Sequence, residues 1–189
     1  MGELRSSAAA FEQLVAPYEK QVYYLCLRMM GNTHDAQDCA QDAMLRAFRA
    51  FHTFRGEAKV STWLYTIAHR ACVDALRARK PQVSLNTLQE QGWDTEDTAP
   101  TPYSQLEQQE RKRLLEQALT QLNEEQRAAI VLVDLQGLLY DEAAQVLDIP
   151  VGTLKSRIAR GRQALAQLLK NYRELFAPSS RPNIEREGK

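Results

Sequence analysis

Apolar residues return every three or four positions through two long blocks of this 189-residue chain, and between the blocks the pattern vanishes. That spacing lays apolar side chains along one face of a helix, whereas a half-buried strand needs strict alternation. No alternating run of any length occurs, and no internal repeat is evident. The periodicity predicts an all-α chain of two small helical domains joined by a flexible linker, each domain large enough for a modest core.

The first block opens with Leu14, Val15, Tyr18, Val22, Leu25, Cys26 and Met29, one stripe on a helix from about residue 10 to 30. Gly31-Asn32 breaks it, and Thr33 is placed to cap a second helix, with Asp35 set against its N-terminal dipole. That helix carries Ala36, Cys39, Ala40, Ala43, Ala47, Phe48 and Phe51, with both phenylalanines read as core. After Arg55-Gly56, Ser61 or Thr62 caps a third helix with Trp63, Leu64, Ile67, Ala68, Ala71, Cys72, Ala75 and Leu76 inside, ending before Pro81. The second block resumes near Ser104 with Leu106, Leu114, Ala118, Leu119 and Leu122. Asn123 to Gln126 is a capping-box-like start for Ile130, Val131, Val133 and Leu135, and Gly137 ends that helix. A short helix over 140–147 then meets the turn Asp148-Ile149-Pro150-Val151-Gly152, and a longer one runs from about Thr153 to Tyr172. The domains so drawn are 1–80 and 111–173, with a linker over 81–110 and a polar tail over 174–189 that is expected to be disordered.

Charge is distributed along the same boundaries. The chain has 24 Lys+Arg and 24 Asp+Glu, a formal net charge of zero, but the total hides segregation. Residues 1–80 and 111–189 each carry +3, while 81–110 hold six acids and no base, so the linker is acidic. Within 151–173 stand Lys155, Arg157, Arg160, Arg162, Lys170 and Arg173 with no acid at all.

Several function classes drop out. His34, His52 and His69 are scattered, and the His69–Cys72 pair has no second ligand pair nearby, so no metal or other cofactor is expected. Neither a glycine-rich phosphate loop nor a nucleophile elbow occurs, and no catalytic residue is assigned. The best apolar run, 128–133, is six residues, far below the roughly 18 needed to cross a bilayer, so no direct membrane insertion is expected. Cys26, Cys39 and Cys72 are read as small buried residues rather than a disulfide framework, which fits a reducing cytoplasm.

The segment 140–165 is the strongest element. A short helix, a turn with Gly or Pro, and a second helix beginning Gly152-Thr153-Leu154-Lys155-Ser156-Arg157 suit a helix-turn-helix, whose second helix presents its first turns to base edges in the major groove. Ala143 and Ala144 let the supporting helix approach closely, and Leu154 and Ile158 anchor the recognition helix. Lys155, Ser156, Arg157, Arg160 and Arg162 are left for bases and backbone, and the amides near Thr153 for a phosphate.

The run Ile149–Arg162 closely resembles the region 4 signature of extracytoplasmic-function (ECF) sigma factors, as does Leu122–Arg127 before it. Independently, Asp35–Asp42 resembles the region 2 helix with which that family docks on RNA polymerase. Phe54-Arg55-Gly56-Glu57, Thr62-Trp63-Leu64-Tyr65 and Ile67-Ala68 are similar to its promoter-melting segment. The matches span about 11–80 and 111–170, in the family's order.

The resemblance implies a non-catalytic sigma factor that binds core RNA polymerase and reads promoter DNA, with an anti-sigma factor as a further partner. By position it implies Thr153, Lys155, Ser156, Arg157, Arg160 and Arg162 at the minus-35 element. It implies Lys59, Ser61, Thr62, Trp63, Arg70, Asp74 and Arg77 at the minus-ten element, although the family often has Asn where Arg70 stands. For polymerase it implies Asp35, Asp38, Gln41, Asp42 and Arg46, the polar face of the second helix. The competing readings are an autonomous helix-turn-helix regulator, for which no dedicated dimerisation segment is visible, and a helical adaptor that does not touch DNA.

Overall fold

A proline divides the first apolar stripe. The computed structural model describes residues 2–78 and 102–172. In it the N-terminal block is not one helix but α1 (Gly2–Val15), a 3-10 turn over Ala16–Tyr18, and α2 (Glu19–Met30). Pro17 sits in the first turn of that 3-10 segment, where its missing N–H costs nothing. The stripe survives the break, since Val15, Val22, Leu25, Cys26 and Met29 are all buried. Gly31 ends α2 in the left-handed region at φ 76°, its N–H donating to the Leu27 carbonyl at 2.8 Å.

α3 (Thr33–Ala50) is capped by Asn32 rather than Thr33; the Asn32 side-chain oxygen accepts from the Asp35 N–H at 2.9 Å. α4 (Val60–Ala78) starts two or three residues earlier than Ser61 or Thr62 as caps would place it. Ala36, Cys39, Ala43 and Ala47 of α3 and Leu64, Ala68, Ala71 and Cys72 of α4 are buried in one core. Small residues on α3 and α4 let these helices approach closely. All three cysteines are free and buried here; burial and then Cys72 push the Cys39 thiol up to about 12, while the hydrogen bond to Cys26 and then burial push the Cys72 thiol upward. Phe48 differs from its reading as core: it is 38% exposed, and it meets the ring of Phe11 edge-on at 5.3 Å.

The C-terminal block is α5 (Pro102–Gln121), α6 (Glu124–Ile130) with a π-helical turn over Val131–Leu135, α7 (Tyr140–Leu147) and α8 (Val151–Leu168). α5 takes in residues 102–110 of the segment drawn as linker, in line with the helical spacing that resumes near Ser104. The rest of that segment, the 174–189 tail and Arg173 lie outside the described residues. Asn123 caps α6, accepting from the Gln126 N–H at 2.9 Å. Ile130, Leu154 and Ile158 are at most 2% exposed and form the centre of this half. α8 crosses α6 at Gly161, where a Cβ would lie 2.9 Å from Ile130 Cγ1, so the approach requires glycine.

The halves lie against each other, and their buried side chains form one continuous cluster. α4 packs on α7, and α2 touches α5, α6 and the π-helical turn. Arg127 Nη1 donates to the Met29 carbonyl across this boundary at 2.7 Å. The same guanidinium donates to the carbonyls of Leu119, Thr120 and Leu122 at the end of α5. Gln136, just beyond the π-helical turn, donates to the Gln21 carbonyl at 3.2 Å and accepts from Tyr65 Oη at 3.4 Å. Lys59 Nζ stands 2.7 Å from a Glu142 carboxylate oxygen.

Candidate nucleic-acid interface

The turn between α7 and α8 is built by one residue. Asp148 takes φ 54°, the only non-glycine described in the left-handed region, where a short polar side chain is tolerated. The Ile149 N–H returns to the Ala144 carbonyl at 3.1 Å, and Pro150 then caps α8, its carbonyl accepting from the Leu154 N–H at 3.1 Å. Glu142 holds the front of α7 by accepting from the Leu139 N–H at 3.1 Å. Ala143 and Ala144 are buried, and Leu154 and Ile158 seat α8 on α6 and α7, the helix-turn-helix packing expected from the sequence.

That seating decides what α8 displays. Thr153, Lys155 and Arg160 are exposed. Ser156 is half-buried, donates to the Thr153 carbonyl at 2.9 Å, and accepts from Arg160 Nη2 at 3.4 Å. Arg157 is also half-buried and is engaged by Glu125 at 2.9 Å. Arg162 forms a two-pronged contact with Asp134, Nε to Oδ2 at 3.0 Å and Nη2 to Oδ1 at 2.5 Å. The Asp134 carboxylate holds its guanidinium above the ordinary value. The acid-free stretch in the sequence is thus partly neutralised by acids from α6 and the π-helical turn.

In the N-terminal half, Lys59, Arg70, Asp74 and Arg77 are exposed and Ser61 is half-buried. Thr62 is 3% exposed, with its carbonyl accepting from the Thr66 hydroxyl at 2.8 Å, so its side chain is not at the surface. Trp63 is half-buried and lies 4.7 Å from the Phe54 ring, which covers one face of the indole. His69, between Thr66 and Cys72 on α4, is pushed down to about 4 by burial, then by Arg70 and by Arg157 from α8. On α3, Asp38 and Gln41 are exposed, and Asp35 and Asp42 are half-buried. Arg46 is committed elsewhere: it bridges Asp42 at 2.9 Å and Asp74 of α4 at 2.6 Å. The Arg46 hydrogen bond holds the Asp74 carboxyl below the usual range. Among the described residues no group of three or more metal-ligating side chains occurs, and no helix is long and apolar enough to cross a membrane.

Both halves match known families. Sigma-70 region 2 matches residues 14–82 and sigma-70 region 4 matches residues 112–165. The ECF RNA polymerase sigma factor SigW of Bacillus subtilis is 36% identical over 173 residues, 86% of this chain and 90% of that protein. The chain belongs to the ECF sigma factor family. As an RNA polymerase sigma factor it directs promoter-specific transcription initiation. ECF RNA polymerase sigma factor SigM of Mycobacterium tuberculosis is also similar, 39% identical over 160 residues, 85% of this chain and 77% of that protein. RpoE of Bartonella quintana, solved in complex with the anti-sigma factor NepR, shares the fold at a TM-score of 0.64 and 23% identity, covering 85% of this sigma factor and 97% of that chain. CnrH, solved with the cytosolic domain of CnrY, gives a TM-score of 0.61 at 25% identity, with 89% and 95% covered. A lone helix-turn-helix regulator would account for the region 4 match and leave the region 2 match unexplained.

Proposed function

We propose that this sigma factor reads the minus-35 element with the first turns of α8. Lys155 and Arg160 serve as base readers, Ser156 orients Arg160, and Thr153 and the adjacent amides take a phosphate. The observation that carries this reading is the exposure of Thr153, Lys155 and Arg160 on a helix whose opposite face is locked by Leu154 and Ile158. Each bidentate contact to guanine contributes roughly 1–3 kcal/mol of discrimination. Arg157 and Arg162 reach DNA only after exchanging Glu125 and Asp134 for phosphates, a role that tunes affinity more than sequence choice.

The minus-ten element falls to Lys59, Ser61, Arg70 and Arg77, with Trp63 presenting its free edge beside Phe54 and Asp74 holding Arg46. Thr62 supports this surface from within. Polymerase docks on α3 through Asp38 and Gln41, flanked by Asp35 and Asp42, with Arg46 fixing the spacing of α3 and α4. The protein acts in the cytoplasm, without a catalytic centre or cofactor of its own. An anti-sigma factor is a further partner, as in the RpoE–NepR complex of the same fold.

Run-off transcription with core polymerase on templates with an intact or scrambled minus-35 element tests the recognition helix. The double variant Lys155→Ala/Arg160→Ala should lose the difference between the templates. If it still distinguishes them, α8 is not the reader.

A further inference from the structure

Two of the cations on α8 are answered by acids that lie outside it. Arg157 Nη2 stands 2.9 Å from Oε1 of Glu125, in the first turn of α6. Arg162 is gripped at two points by Asp134, in the π-helical turn that continues α6. Lys155 and Arg160 have no acidic partner among the described residues, and Arg160 donates to the Ser156 hydroxyl instead.

The helix itself places the two pairs. At about 100° per residue, the buried Leu154, Ile158 and Gly161 define the inward side of α8, and Ser156 and Gln163 fall roughly opposite. On the same wheel Arg157 and Arg162 lie about 110° from that outward direction, one on either side. When the outward side of such a helix enters the major groove, its two shoulders face the sugar–phosphate strands that border the groove. Glu125 and Asp134 stand at those shoulders. Each acid cancels a cation where DNA presents its own negative charge, and each adds a carboxylate that the phosphates must approach. The pairs are not what seats α8, because Leu154 and Ile158 are buried and Gly161 packs on Ile130. The Glu125 side chain is 66% exposed and that of Arg162 is 54% exposed, and ion pairs so open to water contribute little to stability.

We propose that Glu125 and Asp134 are screening residues, which hold Arg157 and Arg162 off the phosphates and so set how tightly the recognition helix binds DNA of any sequence. This rests on the assignment of α8 to the minus-35 element. Phosphate contacts supply nearly all sequence-independent binding, whereas base contacts discriminate. With both arginines screened, more of the affinity of α8 depends on Lys155 and Arg160 finding their bases. A stronger sequence-independent grip would lengthen every stop on DNA that is not a promoter, and such sites vastly outnumber promoters.

Holoenzyme assembled from core polymerase and the full chain, titrated against fluorescent duplexes with an intact or a scrambled minus-35 element at several salt concentrations, tests the screen. Glu125→Gln/Asp134→Asn should steepen the log–log salt slope by about one to two, at about 0.9 for each added phosphate contact. It should tighten both duplexes at least fivefold at about 0.1 M salt, and leave the ratio between them within about twofold because no base contact changes. In an Arg157→Gln/Arg162→Gln chain the same two substitutions should tighten binding less than about twofold, since no arginine is left to release. Unchanged slope and affinity, or an equal gain without the arginines, overturns the screen. Should the Asp134→Asn chain melt below the assay temperature, Glu125→Gln alone still has to steepen the slope by about 0.9. Unsubstituted holoenzyme that binds the intact and scrambled duplexes equally overturns instead the assignment of α8 to the minus-35 element.

Discussion

Arg127 is the most consequential polar side chain of the fold, and its replacement has a calculable outcome. One guanidinium donates to four carbonyls: Leu119 at 2.9 Å, Met29 at 2.7 Å, Thr120 at 2.6 Å and Leu122 at 2.9 Å. It thereby caps the end of α5 and reaches the last turn of α2, and burial lowers its pKa, with Glu124 opposing. Hydrogen bonds to a charged donor contribute roughly 1.5–3 kcal/mol each, but Thr120 is exposed and water replaces part of what is lost. Arg127→Ala should therefore cost about 3–5 kcal/mol, at the upper end for a single substitution. At about 2–4 °C per kcal/mol for a chain of this size, the melting temperature falls by about 10 °C. Arg127→Lys keeps the charge but not the planar fork, and should recover less than half of the loss. Urea unfolding followed by circular dichroism, with melting curves in parallel, measures both. A loss below about 1 kcal/mol for alanine, or a lysine variant as stable as the parent, would refute the idea that this fork joins the halves.

Three further outcomes follow from the same geometry. Gly161→Ala gains roughly 1 kcal/mol of helix propensity but forces Ile130 aside at a cost of about 1–3 kcal/mol, so net destabilisation near 1 kcal/mol is expected, and less than additive when combined with Ile130→Ala; denaturant midpoints check it. His69, pushed down to about 4, and Glu116, pushed up to about 6 by burial against the opposing pull of Arg28 and Lys112, shape stability with opposite signs. Between about pH 4.5 and 6 the unfolded chain protonates His69 while the native one protonates Glu116, so stability is nearly flat there. His69→Gln should make stability fall as pH rises through that window and Glu116→Gln should make it rise, the histidine contribution reaching about 3 kcal/mol over its full range; unfolding at several pH values decides the signs. Asp38→Lys, on the exposed face of α3, should weaken capture by core polymerase at least tenfold while leaving the melting temperature within about 2 °C.

What could be read in advance divides along the range of the interactions. Tyr140–Leu147, the Asp148 turn and the anchors Leu154 and Ile158 were legible because local turn chemistry and helical spacing specify them. The break at Pro17 was also written locally, but the apolar stripe runs through it and the stripe dominates the reading. Asn32 displaced Thr33 as cap through a choice between adjacent cap-formers that spacing does not resolve. Thr62 reads as a site residue beside Lys59 and Ser61, yet the helix starts at Val60 and turns it inward. Arg157 and Arg162 read as free cations because their partners, Glu125 and Asp134, lie 32 and 28 positions away in the chain. Gln136 carries no motif, and Arg127 and Glu142 stand in helix-start segments whose spacing does not name their distant partners. The Met29, Gln21 and Lys59 contacts of these residues exist only once the halves meet, whereas the other three Arg127 bonds and the Glu142 bond to Leu139 lie within the C-terminal half. The zero net charge is now seen to include specific pairs as well as a counterbalancing acidic segment.

The central claim is that this chain turns core RNA polymerase into a promoter-selective enzyme by reading two separated elements. Transcribing total genomic DNA with purified core polymerase, with and without the chain, and mapping the 5′ ends tests it most directly. New start sites should appear only with the chain, sharing one motif near minus-35 and another near minus-ten, and Lys155→Ala/Arg160→Ala should erase the upstream motif. Start sites indistinguishable from those of core polymerase alone would contradict the account.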